Sequence, residues 1–324
     1  MSDVRELGEF GLIARFARNI AANAGVTAGV GDDCAVVRMG TQDLFLTCDA
    51  ALEGVHFTRE TAAPGDIGWR TAAAALSDIA AMGGKPLFVL VTLAAPSGSD
   101  AQWLERLFAG LNEAVEATGA VVVGGDTTRS DTGVVIDVMA LGEPADFRYL
   151  LRKGAHPGDV LMVTGWPGQA AAGLAALRDG AYAPELAAAH LRPTPRIAEG
   201  QWLTGWPTTH AMIDLSDGLV QDAGHLADAS ACGVGIESSR VPVSEALTAF
   251  CGRVGNDPRR LALTGGEDYE LAFAAAPEMA HALTDEFGRI FNLPATIVGR
   301  FTNEWHGVRV DGKPFSGGGW DHFA

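Results

Sequence analysis

Lysine is scarce in this chain. Of 324 residues only Lys85, Lys153 and Lys313 are lysine, against 20 arginines. No G-x-x-x-x-G-K-[ST] segment occurs, which excludes the common P-loop. No V-A-I-K strand with an H-R-D loop occurs, which excludes the protein-kinase pattern. The 23 bases face 40 acids, a net charge of −17. Such a chain is a poor non-specific binder of nucleic acid and is unsuited to an anionic membrane surface. If it handles phosphates, it needs divalent cations to bring them near its carboxylates. The four cysteines (Cys34, Cys48, Cys232, Cys251) show no C-x-x-C spacing, so free buried thiols are expected rather than a disulfide framework. The first ten residues are acidic and lack an apolar signal core. No apolar run approaches about 18 residues, so no membrane span is expected. Together these lead us to expect a soluble cytoplasmic protein.

Apolar material is plentiful at 48% hydrophobic residues, enough for a sizeable core. At about 150 residues per domain, the length suggests two. Residues 8–23 have Phe10, Ile13, Ala14, Ala17 and Ile20 at helical spacing. Strands are expected at 35–39 and 44–48, an Ala-rich buried helix at 66–82, and a strand at 87–94. A helix at 100–118 and strands at 121–123 and 134–141 follow. Gly142, Pro144, Gly154, Pro157 and Gly158 mark a boundary, dividing the chain into 1–147 and 148–324. Beyond it lie strands at 160–164, 211–215, 271–275 and 296–298. Helices are expected at 168–177, 186–191, 196–203 and 218–229. This mixture predicts an α/β (α+β layered) fold of mixed sheets flanked by helices. No short-period repeat or low-complexity linker interrupts it.

Several segments set glycine or hydroxyl residues beside carboxylates at element ends: Gly31-Asp32-Asp33, Thr47-Cys48-Asp49, Leu76-Ser77-Asp78, Gly124-Gly125-Asp126-Thr127-Thr128 and Asp214-Leu215-Ser216-Asp217-Gly218. In 121–128 an apolar strand ends in two glycines, which would let backbone approach a phosphate. Read alone, it is better taken as a strand followed by a capped turn. Asp32-Asp33 reads alone as an exposed turn, and Asp49 as a strand-end acid. Asp214 lies inside an apolar strand, so a metal or a buried partner must compensate it. Asp78 sits within the small-residue helix, where an acid needs a partner or a task. Carboxylates and hydroxyls without clustered His or Cys suit Mg²⁺ and do not suit zinc. No EF-hand loop occurs. Gly265-Gly266-Glu267-Asp268-Tyr269-Glu270 reads as a polar loop or a site, and the aromatic tail around Trp320 as a core plug or a lid.

In order, G-D-D-C-A, T-C-D-A-x-x-E-G-V-H-F, L-S-D-I-A-A-M-G, G-G-D-T-T, I-D-L-S-D-G-L, G-G-E-D-Y-E-L and W-D-H-F resemble the thiamine-monophosphate kinase family, from Gly8 onward. Each segment is weak alone; seven in order are specific. The resemblance implies the two-domain aminoimidazole ribonucleotide synthetase-like fold. Its N-terminal ATP- and magnesium-binding domain pairs into a homodimer, and its C-terminal domain completes the cleft. The implied reaction transfers the γ-phosphoryl group of ATP to thiamine monophosphate, giving thiamine diphosphate.

By motif, the resemblance implies magnesium ligands at Asp33, Thr47, Cys48, Asp49, Asp78, Asp126, Asp214 and Asp217, with Asp49, Asp78, Asp126 and Asp214 as the catalytic carboxylates. It implies ATP contacts at Gly125, Asp126, Arg152 and Ser216, and thiamine phosphate contacts at His56, Glu267 and Trp320. Cys48 replaces the usual hydroxyl residue; a thiol is a poor magnesium ligand, so any role there falls to its carbonyl. The acceptor phosphate is ionised near neutral pH and needs no strong general base, so direct in-line transfer is expected. The alternatives are a sister synthetase, with aminoimidazole ribonucleotide synthetase foremost, or a non-catalytic Mg-nucleotide-binding protein. Selenophosphate synthetases carry an early Cys or selenocysteine with a nearby Lys, and the hydrogenase-maturation relative ends in a reactive Cys. This sequence has neither feature.

Overall fold

Alternating apolar residues make the first half a sheet, and glycine lets two helices lie close on it. The computed structural model describes residues 4–315. Trp320 and the W-D-H-F segment lie outside the described residues. The first elements are α1 (Val4–Ala17), β1 (Val26–Ala28), β2 (Ala35–Met39), β3 (Gln42–Leu52), α2 (Pro64–Ala81), β4 (Gly84–Ala95), α3 (Ala101–Ala117), β5 (Val121–Arg129) and β6 (Val135–Pro144). Their strands form a sheet in the order β1-β2-β3-β6-β4-β5. β4 and β5 are parallel, and the other neighbours are antiparallel. One face packs on α2 and α3 through Val36, Phe45, Leu76, Ile79, Leu107 and Ile136. A Cβ on Gly68 would lie 1.9 Å from the Leu107 carbonyl oxygen, so the closeness of α2 and α3 requires glycine there. Asp100 caps α3, accepting the Gln102 N–H at 3.0 Å.

The second half contains β7 (Val160–Thr164), α4 (Gln169–Asp179), α5 (Pro184–Leu191), α6 (Ile197–Thr204), β8 (Thr209–Asp214), α7 (Leu219–Ala229), β9 (Gly233–Ile236), α8 (Glu245–Val254), α9 (Pro258–Thr264), β10 (Leu271–Ala275), α10 (Pro277–Phe291), β11 (Ala295–Thr302), β12 (Gly307–Val310) and β13 (Lys313–Pro314). The sheet order is β13-β12-β9-β11-β7-β10-β8. β7, β8 and β10 are nearly all buried, because both faces are covered. One face holds Leu161, Val163, Ile213, Leu219 and Phe250; the other holds Met162, Met212, Phe273, Leu203 and Phe287. Ala80 and Ala81 of α2 belong to that second core, so α2 is shared by both halves. Among the described residues, no helix is long and apolar enough to cross a membrane.

Two expectations need correction. The first helix ends at Ala17, not 23, and is interrupted at Gly8 (φ 63°). Phe10, Phe16 and Ile20 are exposed, so no packing drives the helix further. The strand expected at 121–123 runs on to Arg129, so Gly124-Gly125-Asp126-Thr127-Thr128 is strand and not turn. It pairs with β4 throughout, Asp126 opposite Thr92 and Arg129 opposite Ala95. A Cβ on Gly125 would sit 1.8 Å from the Val91 carbonyl oxygen. The sheet itself therefore demands that glycine.

Candidate active site

The shared helix α2 sets the site. It runs between the first sheet and β8, presenting Ser77 and Asp78 side by side. Ser77 donates to Asp214 at the end of β8, 2.6 Å away. Thr47 of β3 donates to Asp78. Asp33, in the Gly31-Asp32-Asp33 turn, completes the group: carboxylate oxygens of Asp33, Asp78 and Asp214 all lie within 4.8 Å of one another. Arg152 closes one side, donating to Asp33 Oδ1 from Nε (3.1 Å) and Nη2 (2.7 Å). Its backbone N–H reaches Asp32 at 3.1 Å.

One guanidinium does not neutralise this group. Burial, and then the charge of Asp33, push Asp214 up to about 8. Burial, then Asp49, Asp214 and Asp33, push Asp78 well above the carboxylate range. Burial with Asp137 nearby lifts Asp49 to about 6; burial with Asp33 nearby lifts Asp32 to about 6. Asp33 is raised by burial despite Arg152, and its Oδ2 is buried without a hydrogen-bond partner. Clustered carboxylates must share protons or hold a cation. An all-oxygen set with an orphaned buried carboxylate oxygen fits Mg²⁺.

The structure separates other expected ligands from this group. Thr47 and Asp49 pair with Ala140 and Val138, on the α2 face of the sheet; exposed Cys48 pairs with Met139 on the other face. Its thiol therefore points away from Asp78. Asp126 is exposed on the edge strand β5. Its row runs through Thr92 and Asp137 to Ala50 of β3, three strand spacings or about 14 Å away. Asp217 falls into a second group with Asp222 and His225, where Asp222 accepts the Asp217 and Gly218 N–H groups at 3.2 and 2.9 Å. Arg152 lies between the groups, near enough to lower His225 after burial has done so. Ser216 fixes the next loop through its backbone carbonyl, which accepts the Glu267 N–H at 2.7 Å.

That loop is strained. Glu267 (φ 66°) and Tyr269 (φ 52°) both adopt left-handed backbone, which non-glycine residues hold only when the surroundings impose it. The Tyr269 N–H bonds to the Leu215 carbonyl at 2.9 Å. Asp268 is turned inward, where the Ala170 N–H reaches it at 2.8 Å. Glu270 takes Arg196 at 2.6 Å and Thr164 at 2.6 Å. Glu267 is left facing the buried Arg70 of α2, which forms an ion pair with it. Arg70 also reaches the His56 carbonyl at 3.5 Å and His190 Nε2 at 2.8 Å. Burial, and then Arg70, lower His190 to about 3, so it stays neutral and can accept from the guanidinium. One arginine thus ties together His56 and Glu267.

Sequence reasoning missed Arg70, His190, Asp137 and Asp222. Arg70 and Ser77 stand seven residues apart, two turns on one helix face, a signal that was available. His190 and Asp222 enter only through tertiary contacts.

Two sheets sharing one helix, with carboxylates from both halves meeting at it, place the chain in a known class. The family of AIR synthase related protein, N-terminal domain, matches residues 31–143, and that of AIR synthase related protein, C-terminal domain, matches residues 156–312. HypE, a hydrogenase maturation protein of E. coli, shares the fold at TM-score 0.69 and 21% identity, covering 97% of this chain and 96% of that one. Much nearer is AaThiL complexed with AMPPCP and TMP: TM-score 0.89, 35% identity, 99% of each chain. Thiamine-monophosphate kinase of Escherichia coli O157:H7 is 38% identical over 98% of each chain. That of Aquifex aeolicus is 37% identical over 99%. The chain belongs to the thiamine-monophosphate kinase family.

Proposed function

We propose that this chain phosphorylates thiamine monophosphate with ATP, giving thiamine diphosphate and ADP. The observation that carries the reading is the buried Asp33–Asp78–Asp214 group beside Arg152, set in a chain that matches AaThiL, complexed with AMPPCP and TMP, along 99% of its length. Asp33, Asp49, Asp78 and Asp214 would hold Mg²⁺, with Thr47, Asp217 and the Cys48 carbonyl as further ligands. Mg²⁺ held by these residues would supply positive charge to offset that which spreads over the transferring group. The chain's own side chains do the positioning. Arg152 offers its guanidinium to ATP phosphate, with Ser216 and Gly125 as further ATP contacts. His56 and Glu267 face the thiamine moiety, held by Arg70, and Trp320 is a further contact. The acceptor phosphate is already ionised near neutral pH, so no side chain has to remove a proton. The acceptor oxygen attacks the γ-phosphorus in line as the bond to the β-phosphate oxygen breaks.

The same reading includes a homodimer. On the face of the first sheet away from α2, Leu46, Phe88, Leu90, Val123, Met139 and Leu141 line an apolar hollow of about 360 Å³. Phe88, Leu90, Val123 and Met139 are 42–55% exposed, an apolar patch suited to a second copy. Asp126 stands on that face and belongs to the interface in this proposal. The reading also divides the chain at 147/148, between β6 and β7, and places it in the cytoplasm.

The test is turnover with ATP, Mg²⁺ and thiamine monophosphate, with thiamine diphosphate read as its fluorescent thiochrome and thiamine as control. Product that requires Mg²⁺ and the monophosphate supports the reading. ATP binding without product overturns it and directs the search to formylglycinamidine ribonucleotide.

A further inference from the structure

We propose that His156, Asp159 and His210 bind a transition-metal dication such as Zn²⁺, at a site separate from the carboxylate group. The three residues come from the connection between the two sheets and from the start of β8. Their donor atoms converge: His156 Nδ1 lies 3.2 Å from His210 Nδ1, His210 Nδ1 lies 2.8 Å from Asp159 Oδ2, and His156 Nδ1 lies 3.6 Å from the same oxygen. Bonds of about 2.0–2.1 Å to zinc give tetrahedral edges of about 3.3 Å. The observed edges bracket that length, so the triangle is close to one face of a zinc tetrahedron. The rings meet edge-on, at 86° with centroids 4.7 Å apart.

Without a cation, one proton on His210 Nδ1 can serve both contacts, donated to Asp159 Oδ2 at 2.8 Å and to the His156 Nδ1 lone pair at 3.2 Å. A cation in the gap takes both lone pairs and the carboxylate oxygen. Asp159 is held for this: its side chain is 6% exposed, and its Oδ2 accepts the His156 N–H at 2.7 Å. His156 is 69% exposed, which leaves the fourth position open to water or an incoming ligand.

Two imidazoles with one carboxylate select zinc and its neighbours over Mg²⁺. His210 and Asp214 lie at opposite ends of β8, about 13 Å apart along the strand, so the two sites are distinct. β10 separates β7 from β8 in the sheet. A metal here would add a side-chain clip between the connecting segment and β8, which are already joined by the Met212 N–H to the Leu151 carbonyl at 3.1 Å.

The test is calorimetric titration of the full chain with Zn²⁺ in excess Mg²⁺, which saturates the carboxylates. We expect one Zn²⁺ per chain, weakened after His156→Ala by more than the roughly 10–100-fold that loss of an outer-shell partner costs, and not bound at all in the His156→Ala/His210→Ala variant. Zn²⁺ should also raise the Tm of the native chain and leave that of the double variant unmoved. Co²⁺ should give the intense visible bands of a tetrahedral site in the native chain alone. Because His156 is on the surface, its substitution leaves the fold intact. No zinc binding by the native chain, or binding that survives both variants unchanged, overturns the proposal.

Discussion

Asp214→Asn should make the metal-free protein more stable while abolishing its activity. The folded state lifts the Asp214 carboxyl from 3.8 to about 8. Below pH 3.8 both folded and unfolded chains hold the proton. As pH rises toward 8, the unfolded chain releases it and the folded chain does not, so stability falls across that window. At pH 7 the gap is worth roughly 4 kcal/mol at 1.36 kcal/mol per pKa unit. The acids share protons, so we expect about 1–3 kcal/mol to appear on substitution. Asn cannot ionise, and its carbonyl keeps the Ser77 hydrogen bond. In chelator at pH 7, calorimetry should therefore show a Tm several degrees higher. Turnover with Mg²⁺ should drop about 100-fold or more. Arg152→Met is the control of opposite sign. It removes the guanidinium that grips Asp33, and leaving a buried charge unpaired costs about 3–5 kcal/mol. If both variants shift Tm in the same direction, surplus negative charge is not what governs this site.

Arg70→Met should raise KM for thiamine monophosphate about 10–100-fold, from the loss of a charge-assisted bond, with KM for ATP nearly unchanged; steady-state kinetics decides, and an equal rise in both would place Arg70 elsewhere in the reaction. Leu90→Asp, on the apolar sheet face, should yield a monomer by sedimentation, and an unchanged mass would refute the dimer surface. Gly125→Ala forces a Cβ onto the Val91 carbonyl and should cost about 1–3 kcal/mol by overpacking, read by denaturant unfolding. In chelator the native chain should lose Tm between about pH 4 and 8, and Mg²⁺ should remove that slope.

Much of the architecture was legible from pattern. Strands 35–39, 160–164 and 271–275 stand where alternation or continuous apolar runs put them. The helix expected at 100–118 forms between its Asp100 cap and Thr118. Patterning reads local burial, and these segments are locally consistent. The reading stops short at α10, an amphipathic helix over Pro277–Phe291, and at the short strands β9, β12 and β13. The G-G-D-T-T segment was misjudged because its glycines look like a turn. An edge strand needing a close approach to Val91 also requires glycine, and only the pairing with β4 distinguishes the two.

The residues of the site were visible as types; their grouping was not. Asp32, Asp33, Asp49, Asp78 and Asp214 stand out in sequence because a carboxylate among apolar or glycine neighbours has a cost to meet. Residue type and order determined a two-domain, layered α/β chain, an oxygen-rich set suited to Mg²⁺ and the absence of a P-loop. That Asp33, Asp78 and Asp214 share one pocket while Asp126 lies on the far face was decided by α2, which packs against both sheets at once. The same is true of Arg70 gathering His56, His190 and Glu267, and of His156 meeting His210. Contacts between residues distant in sequence depend on how twisted sheets and helices close on one another. No local propensity encodes that.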